Sequence, residues 1–117
     1  MRLSEVKEMM KQDGKLDARG LLCYSTLTGT IQEQNFQNLV AVVFSETDLN
    51  LYRANMDGSV GEILVSIPYT AIQAFQLKHR FWYSFTEFTA PAGNFRFYNY
   101  DRKVFIQGFR DAGLLEG

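Results

Sequence analysis

Between Gly20 and Tyr100 the sequence falls into seven runs rich in Val, Ile, Tyr, Phe and Thr, near residues 20–31, 39–45, 49–54, 62–67, 72–79, 81–89 and 94–100. Branched and aromatic side chains of this kind suit the pleated, half-buried surface of a strand. Short polar clusters separate the runs, and none has room for the crossover helix that a parallel pair requires. The strands must therefore pair antiparallel, which excludes a doubly wound nucleotide-binding fold. Turn chemistry agrees: Ser45-Glu46-Thr47-Asp48 follows the second run, and Asn55-Met56-Asp57-Gly58-Ser59, whose Asn, Asp and Gly tolerate positive φ, follows the third.

Alternation within the runs assigns faces. Ile63, Val65 and Ile67 share one; Phe95 and Phe97 share another, with Arg96 and Tyr98 opposite; Leu49 and Leu51 alternate with Asn50 and Tyr52. Pro68 cannot donate to a ladder and restricts the residue before it, so Ile67-Pro68-Tyr69 predicts a corner between two sheets. The two ends of the chain change period. Leu3, Val6, Met9 and Met10 predict a short amphipathic helix over about residues 5–13, with Ser4 as its cap and Gly14 as its stop. A helix this short is marginal alone and must dock on something apolar. After Asp101, an N-cap, Val104, Phe105, Gly108, Phe109 and Ala112 form one helical stripe that Gly113 ends. Phe105 and Phe109, one turn apart, are the natural plug for a curled sheet.

The chain of 117 residues is one domain's worth of sequence: 1–19 as an N-terminal helical extension, 20–100 as a β barrel and 101–114 as a capping helix. Its one Cys cannot form an internal bridge, it lacks an apolar run of membrane-spanning length, and its N-terminus lacks a secretory apolar stretch; the expected location is the cytoplasm. A net charge of -1 argues against coating nucleic acid, which needs an excess of Lys and Arg.

An α+β order of seven short antiparallel strands closed by a C-terminal amphipathic helix resembles the pleckstrin-homology (PH) superfold, a split barrel. The local sequence is similar to bacterial PH-like and GRAM-like domains. The residues that carry this are the strand, polar turn and aromatic-bearing strand of Leu39 through Tyr52, the corner Ile67-Pro68-Tyr69-Thr70-Ala71-Ile72, and the final helix, covering about residues 20–114. The resemblance implies a scaffold that binds phosphoinositides, peptides or proteins without catalysis. Its headgroup site is a cluster of Lys and Arg around the first hairpin. Here no basic residue lies between Arg19 and Arg53, so that site does not carry over and phosphoinositide is disfavoured. The polar connection Gly29 to Asn38, with Phe36 near its tip, suits a neutral or protein partner.

Few residues point to chemistry. His79 is the only histidine, and acid–base work would need a partner such as Glu87; without one it is a strand-end residue beside Lys78 and Arg80. Cys23, between Leu22 and Tyr24, is a small buried thiol. The sequence lacks a nucleophile-elbow, phosphate-loop or zinc-helix motif, and no metal or cofactor is expected. Residues 75–110 carry Lys78, Arg80, Arg96, Arg102, Lys103 and Arg110 against Glu87 and Asp101, whereas residues 1–74 are acidic on balance. Phe81 and Trp82 would point to opposite faces of an extended segment, so one packs under the N-terminal helix or forms an exposed apolar spot. The expected interaction residues are Phe36, Lys78, Arg80, Trp82, Arg102 and Lys103. The leading functional expectation is a non-catalytic module for protein interaction or self-association, to which Met9 and Met10 of the first helix could contribute. The alternatives are a carrier or enzyme holding a small apolar ligand inside the barrel, and peripheral binding to an anionic membrane; nucleic acid is disfavoured.

Overall fold

The computed structural model describes residues 1–116. The elements are α1 (Leu3–Gln12), β1 (Leu22–Ile31), β2 (Gln34–Phe44), β3 (Asp48–Ala54), β4 (Val60–Pro68), a 3₁₀ turn (Tyr69–Ala71), β5 (Gln73–His79), β6 (Ser84–Ala90), β7 (Gly93–Tyr98) and α2 (Arg102–Asp111). All strands join one antiparallel sheet in the order β4-β3-β2-β1-β7-β6-β5. That order forces curvature. β4 and β5 lie at opposite ends of the sheet, which in a flat seven-stranded sheet are about 29 Å apart. Yet the chain from Pro68 to Gln73 reaches at most about 18 Å. The sheet therefore rolls until its two edges flank one corner.

The corner after Pro68 is where the sequence puts it, but it joins two edges of one sheet rather than two sheets. The reason is β1, long enough to pair with β2 over Leu22–Ile31 and with β7 over Thr26–Ile31. At that seam Gly29, with φ of +148°, lies against β7, and a Cβ there would come within 2.8 Å of the Asn94 carbonyl carbon. Only glycine lets the two backbones approach so closely. The outer edges of β4 and β5 are not hydrogen-bonded to each other, so the barrel expected for residues 20–100 is an open roll.

Inside the roll the strands and α2 share one core. Phe44, Phe95, Phe97, Phe105 and Phe109 are fully buried with Leu27, Leu49, Leu51 and Ile67. Phe44 meets Phe105 and Phe109 edge-on at 5.4 and 5.0 Å, and Tyr100 stacks on Phe105 at 3.8 Å. Each such ring contributes about 1.5–3 kcal/mol through removal from water. Asp101 caps α2 by accepting from the Lys103 and Val104 amides, at 3.0 and 3.4 Å. The stripe that buries Phe105, Gly108 and Phe109 is the one the sequence predicts. Arg19 ties the C-terminal end of α2 to the sheet: its guanidinium donates to Asp17, to Asp111 at 3.0 Å and to the Phe44 carbonyl at 2.9 Å.

The second half of β2 is buried on both faces. Val40, Val42 and Phe44 enter the inner core, while Ala41 and Val43 point outward to a second cluster with Leu22, Tyr52 and α1's Val6 and Met10. So α1 docks, but on a narrower stripe than expected. Leu3 and Met9 are exposed, because a helix lying flat on a sheet buries only the residues directly over it. Met10 is buried and not free for an outside contact. Arg2, not Ser4, stands at the N-cap, without a side-chain bond.

Two strand boundaries also differ from the sequence reading. The connection from Gly29 to Asn38 is not a loop: β1 and β2 continue to a two-residue turn at Gln32-Glu33, both at positive φ, and Phe36 lies in β2 opposite Gly29. Ladder hydrogen bonds need no apolar side chain, so polar Gln34 to Asn38 extends as readily as the apolar half. Conversely, Phe81 to Tyr83 is not strand. It is the turn between β5 and β6, closed by the Arg80 amide donating to the Tyr83 carbonyl at 2.7 Å. No helix among the described residues is long and apolar enough to cross a membrane.

Candidate functional site

The two halves of the sheet's outer face are treated differently. Over β1, β2 and β3 lies α1, sealing Leu22, Ala41, Val43 and Tyr52. Over β5, β6 and β7, among the described residues, lies no helix. Strand alternation turns Gln76 and Lys78, Phe85 and Glu87, and Arg96 and Tyr98 outward there, opposite the buried Thr86, Phe88, Phe95 and Phe97.

Register assembles these into a cluster. Glu87 sits opposite Arg96, and Phe85 opposite Tyr98. Arg96 Nε donates to Glu87 at 2.8 Å, its Nη1 donates to the Tyr98 hydroxyl at 3.2 Å, and its guanidinium lies 5.4 Å over the Phe85 ring. Glu87 and Tyr98 both favour the charged guanidinium and raise Arg96 above its ordinary value. Tyr83 stacks on Phe85 at 6.1 Å, and the Tyr98 ring lies tilted against Phe85 at 6.2 Å. Beside the cluster runs an open trough of about 480 Å³, lined by Thr28, Ala74, Gln76, Glu87, Thr89 and Arg96. A bulge in β5, where Ala74 adopts φ of +56°, helps shape its rim.

At the end of this half-sheet stands the β5–β6 turn. Phe81 is 94% exposed, Trp82 81% and Tyr83 45%. Phe81 and Trp82 touch edge to face at 5.6 Å, so the turn carries an aromatic knob with no cover. Lys78 and Arg80 flank it. Arg102 and Lys103 open α2 just beyond β7, whose last residue pairs with the start of β6, so they lie at the same end of the sheet. The structure thus gathers Lys78, Arg80, Trp82, Arg102 and Lys103 at one end and leaves Phe36 out. Phe36 packs half-buried against the inner core, because its position in β2 turns it inward with Val40 and Val42. Of the outcomes open to Phe81 and Trp82, both side chains are exposed, since a turn imposes no alternation.

The groups considered for chemistry are engaged elsewhere. His79 Nδ1 is 2.6 Å from Ser84 Oγ, and Glu87 is held by Arg96, so no His79–Glu87 pair forms. Burial pushes the Cys23 thiol up to about 12, where it holds its proton at neutral pH. The cluster of Phe85, Glu87, Arg96 and Tyr98 escaped the sequence reading as a site. Alternation set Arg96 and Tyr98 opposite the core face, but their partners depend on register. No protein-family model, curated protein or solved structure matches the chain.

Proposed function

We propose that the chain is a docking module of the pleckstrin-homology-like type, cytoplasmic, that acts through protein contact and performs no chemistry of its own. The carrying observation is the contrast between the two outer faces. One is sealed by α1; the other presents a stacked aromatic and arginine cluster, a trough and the unpaired edge of β5. Aromatic and Arg side chains dominate contact energetics in protein interfaces, and a free edge can accept an added strand. The strand order, with one C-terminal helix filling the roll, supports the PH-like reading. The first hairpin, which in that family holds headgroups, ends here in Gln32-Glu33. The interior a carrier would need is taken up by phenylalanine rings packed on one another.

Two measurements test this. Light scattering across a concentration series reads self-association, and retention of proteins from native lysate on the immobilised chain reads a foreign partner. Arg96→Ala combined with Tyr98→Ser should abolish whichever is found. A strict monomer retaining nothing, or retention indifferent to that double variant, refutes the reading.

A further inference from the structure

The aromatic knob asks for a different explanation from the face behind it. Three consecutive aromatic residues at a turn apex, two of them almost wholly in water, are costly in an aqueous setting, and a few hundred Å² of such surface marks a site of contact. What surrounds the knob selects the contact. From Ile63 to Thr86 the sequence has no Asp or Glu, while Lys78 and Arg80 lie at the base of the turn and Arg102 and Lys103 at the same end of the sheet. Among the described residues, the ion pairs are Arg19 with Asp17 and Asp111, Arg53 with Glu62, and Arg96 with Glu87. None of Lys78, Arg80, Arg102 and Lys103 is in one. Asp101, beside Arg102, is the one carboxylate among them, and it caps α2. An apolar tip with two unpaired cations at its base and two more at the same end of the sheet is complementary to one kind of surface, where an apolar layer lies just beneath a sheet of negative charge.

We propose that the β5–β6 turn docks on an anionic bilayer, with Phe81 and Trp82 lodged at the boundary of headgroups and acyl chains and Lys78, Arg80, Arg102 and Lys103 facing the headgroup phosphates and carboxylates. Trp and Tyr favour this boundary because one end of the ring system is apolar and the other polar, and long basic side chains keep their stems in the apolar layer and their charges in the headgroups. Tyr83, half-exposed at the inner end of the knob, sits at the polar level. The site lies at the opposite end of the strands from the first hairpin, and it does not depend on the protein-docking reading: it uses the apex, whereas that reading uses Phe85, Arg96 and Tyr98.

Trp82 is the only tryptophan, so its emission reports on the knob without a label. Titration of the full chain with phosphatidylcholine vesicles containing phosphatidylserine should shift that emission to shorter wavelength and shield it from an aqueous quencher, and added salt should reverse both. Phosphatidylcholine vesicles alone should do neither, nor should soluble glycerophosphoserine. Lys78→Ala with Arg80→Ala should weaken partitioning about 30-fold, and Phe81→Ser about tenfold, each with an unchanged melting curve. Arg96→Ala with Tyr98→Ser should leave the vesicle response intact, so that failure of either surface is read separately. The proposal is overturned by an unmoved spectrum with anionic vesicles, or by an equal response to neutral ones. A shift with the soluble headgroup, or on raising protein concentration without lipid, overturns it in favour of a headgroup pocket or a self-contact.

Discussion

Replacing Gly108 by alanine puts two opposed effects in one atom. In an exposed helix interior the added methyl would stabilise by about 1 kcal/mol, since alanine loses less backbone entropy on folding. Gly108, however, is the point where α2 rests on Phe44. A Cβ there would stand 2.7 Å from Phe44 Cε2 and nearer still to Cγ and Cδ2. The ring cannot swing aside, because Phe105 and Phe109 hold it edge-on from α2. Overpacking of this kind costs about 1–3 kcal/mol, and a ring clamped on two sides belongs at the upper end. The net expectation is a loss of about 2 kcal/mol, or about 8 °C in Tm for a domain of this size. Calorimetry and urea denaturation of Gly108→Ala measure it directly. In a Phe44→Leu background the same substitution should cost at least about 1 kcal/mol less, which a double-mutant cycle isolates. A Tm raised by Gly108→Ala, or a cost unchanged in the Phe44→Leu background, would refute the packing of α2 into the roll.

Other outcomes follow from the same geometry. Phe105→Ala should cost about 3–5 kcal/mol by urea denaturation, since it empties the centre of the core, whereas Phe81→Ser with Trp82→Ser should move stability by no more than about 0.5 kcal/mol. The Cys23 thiol, raised by burial, should stay silent to a disulfide reagent at mildly alkaline pH and react on adding denaturant; fast labelling of the native protein contradicts its placement. For Asp17, burial pushes the carboxyl up, but the hydrogen bond and charge of Arg19 outweigh it and hold the carboxyl below its ordinary 3.8. A lowered folded value adds stability that is present above the unfolded value and is lost as pH falls through the folded one. The gap in urea midpoint between the wild type and Asp17→Asn should therefore be steady near neutrality and close below about pH 4; a gap that widens on acidification has the wrong sign.

The parts of the fold legible in the sequence were those written in side-chain period. The helical stripe of Val104, Phe105, Gly108 and Phe109, the alternation of Phe95 and Phe97 and the break at Pro68 each state a local rule that the packed chain obeys. Features that side chains do not encode were missed. Gln34 to Asn38 is strand because its backbone pairs with β1, and Phe81 to Tyr83 is turn although its residues favour strands. Leu3 and Met9 share α1's apolar pattern but overhang the sheet. The candidate surface divides in the same way. Lys78, Arg80 and Trp82 stood out singly, and the chain's own turn brings them together. The partnership of Phe85, Glu87, Arg96 and Tyr98 exists only once β6 and β7 are in register, and Phe36 was misplaced because its loop was a ladder.

The uncovered outer face and tip both depend on β1 serving both halves of the sheet, which rolls the strands round α2. Nuclear Overhauser contacts between β1 and β7 test this most directly. The account predicts backbone contacts for the pairs Leu27 with Phe97 and Gly29 with Phe95, together with ring contacts from Phe44 to Phe109. A chain in which β7 contacts β6 alone, with β1 bordered only by β2, would hold its strands in two separate sheets and would contradict it.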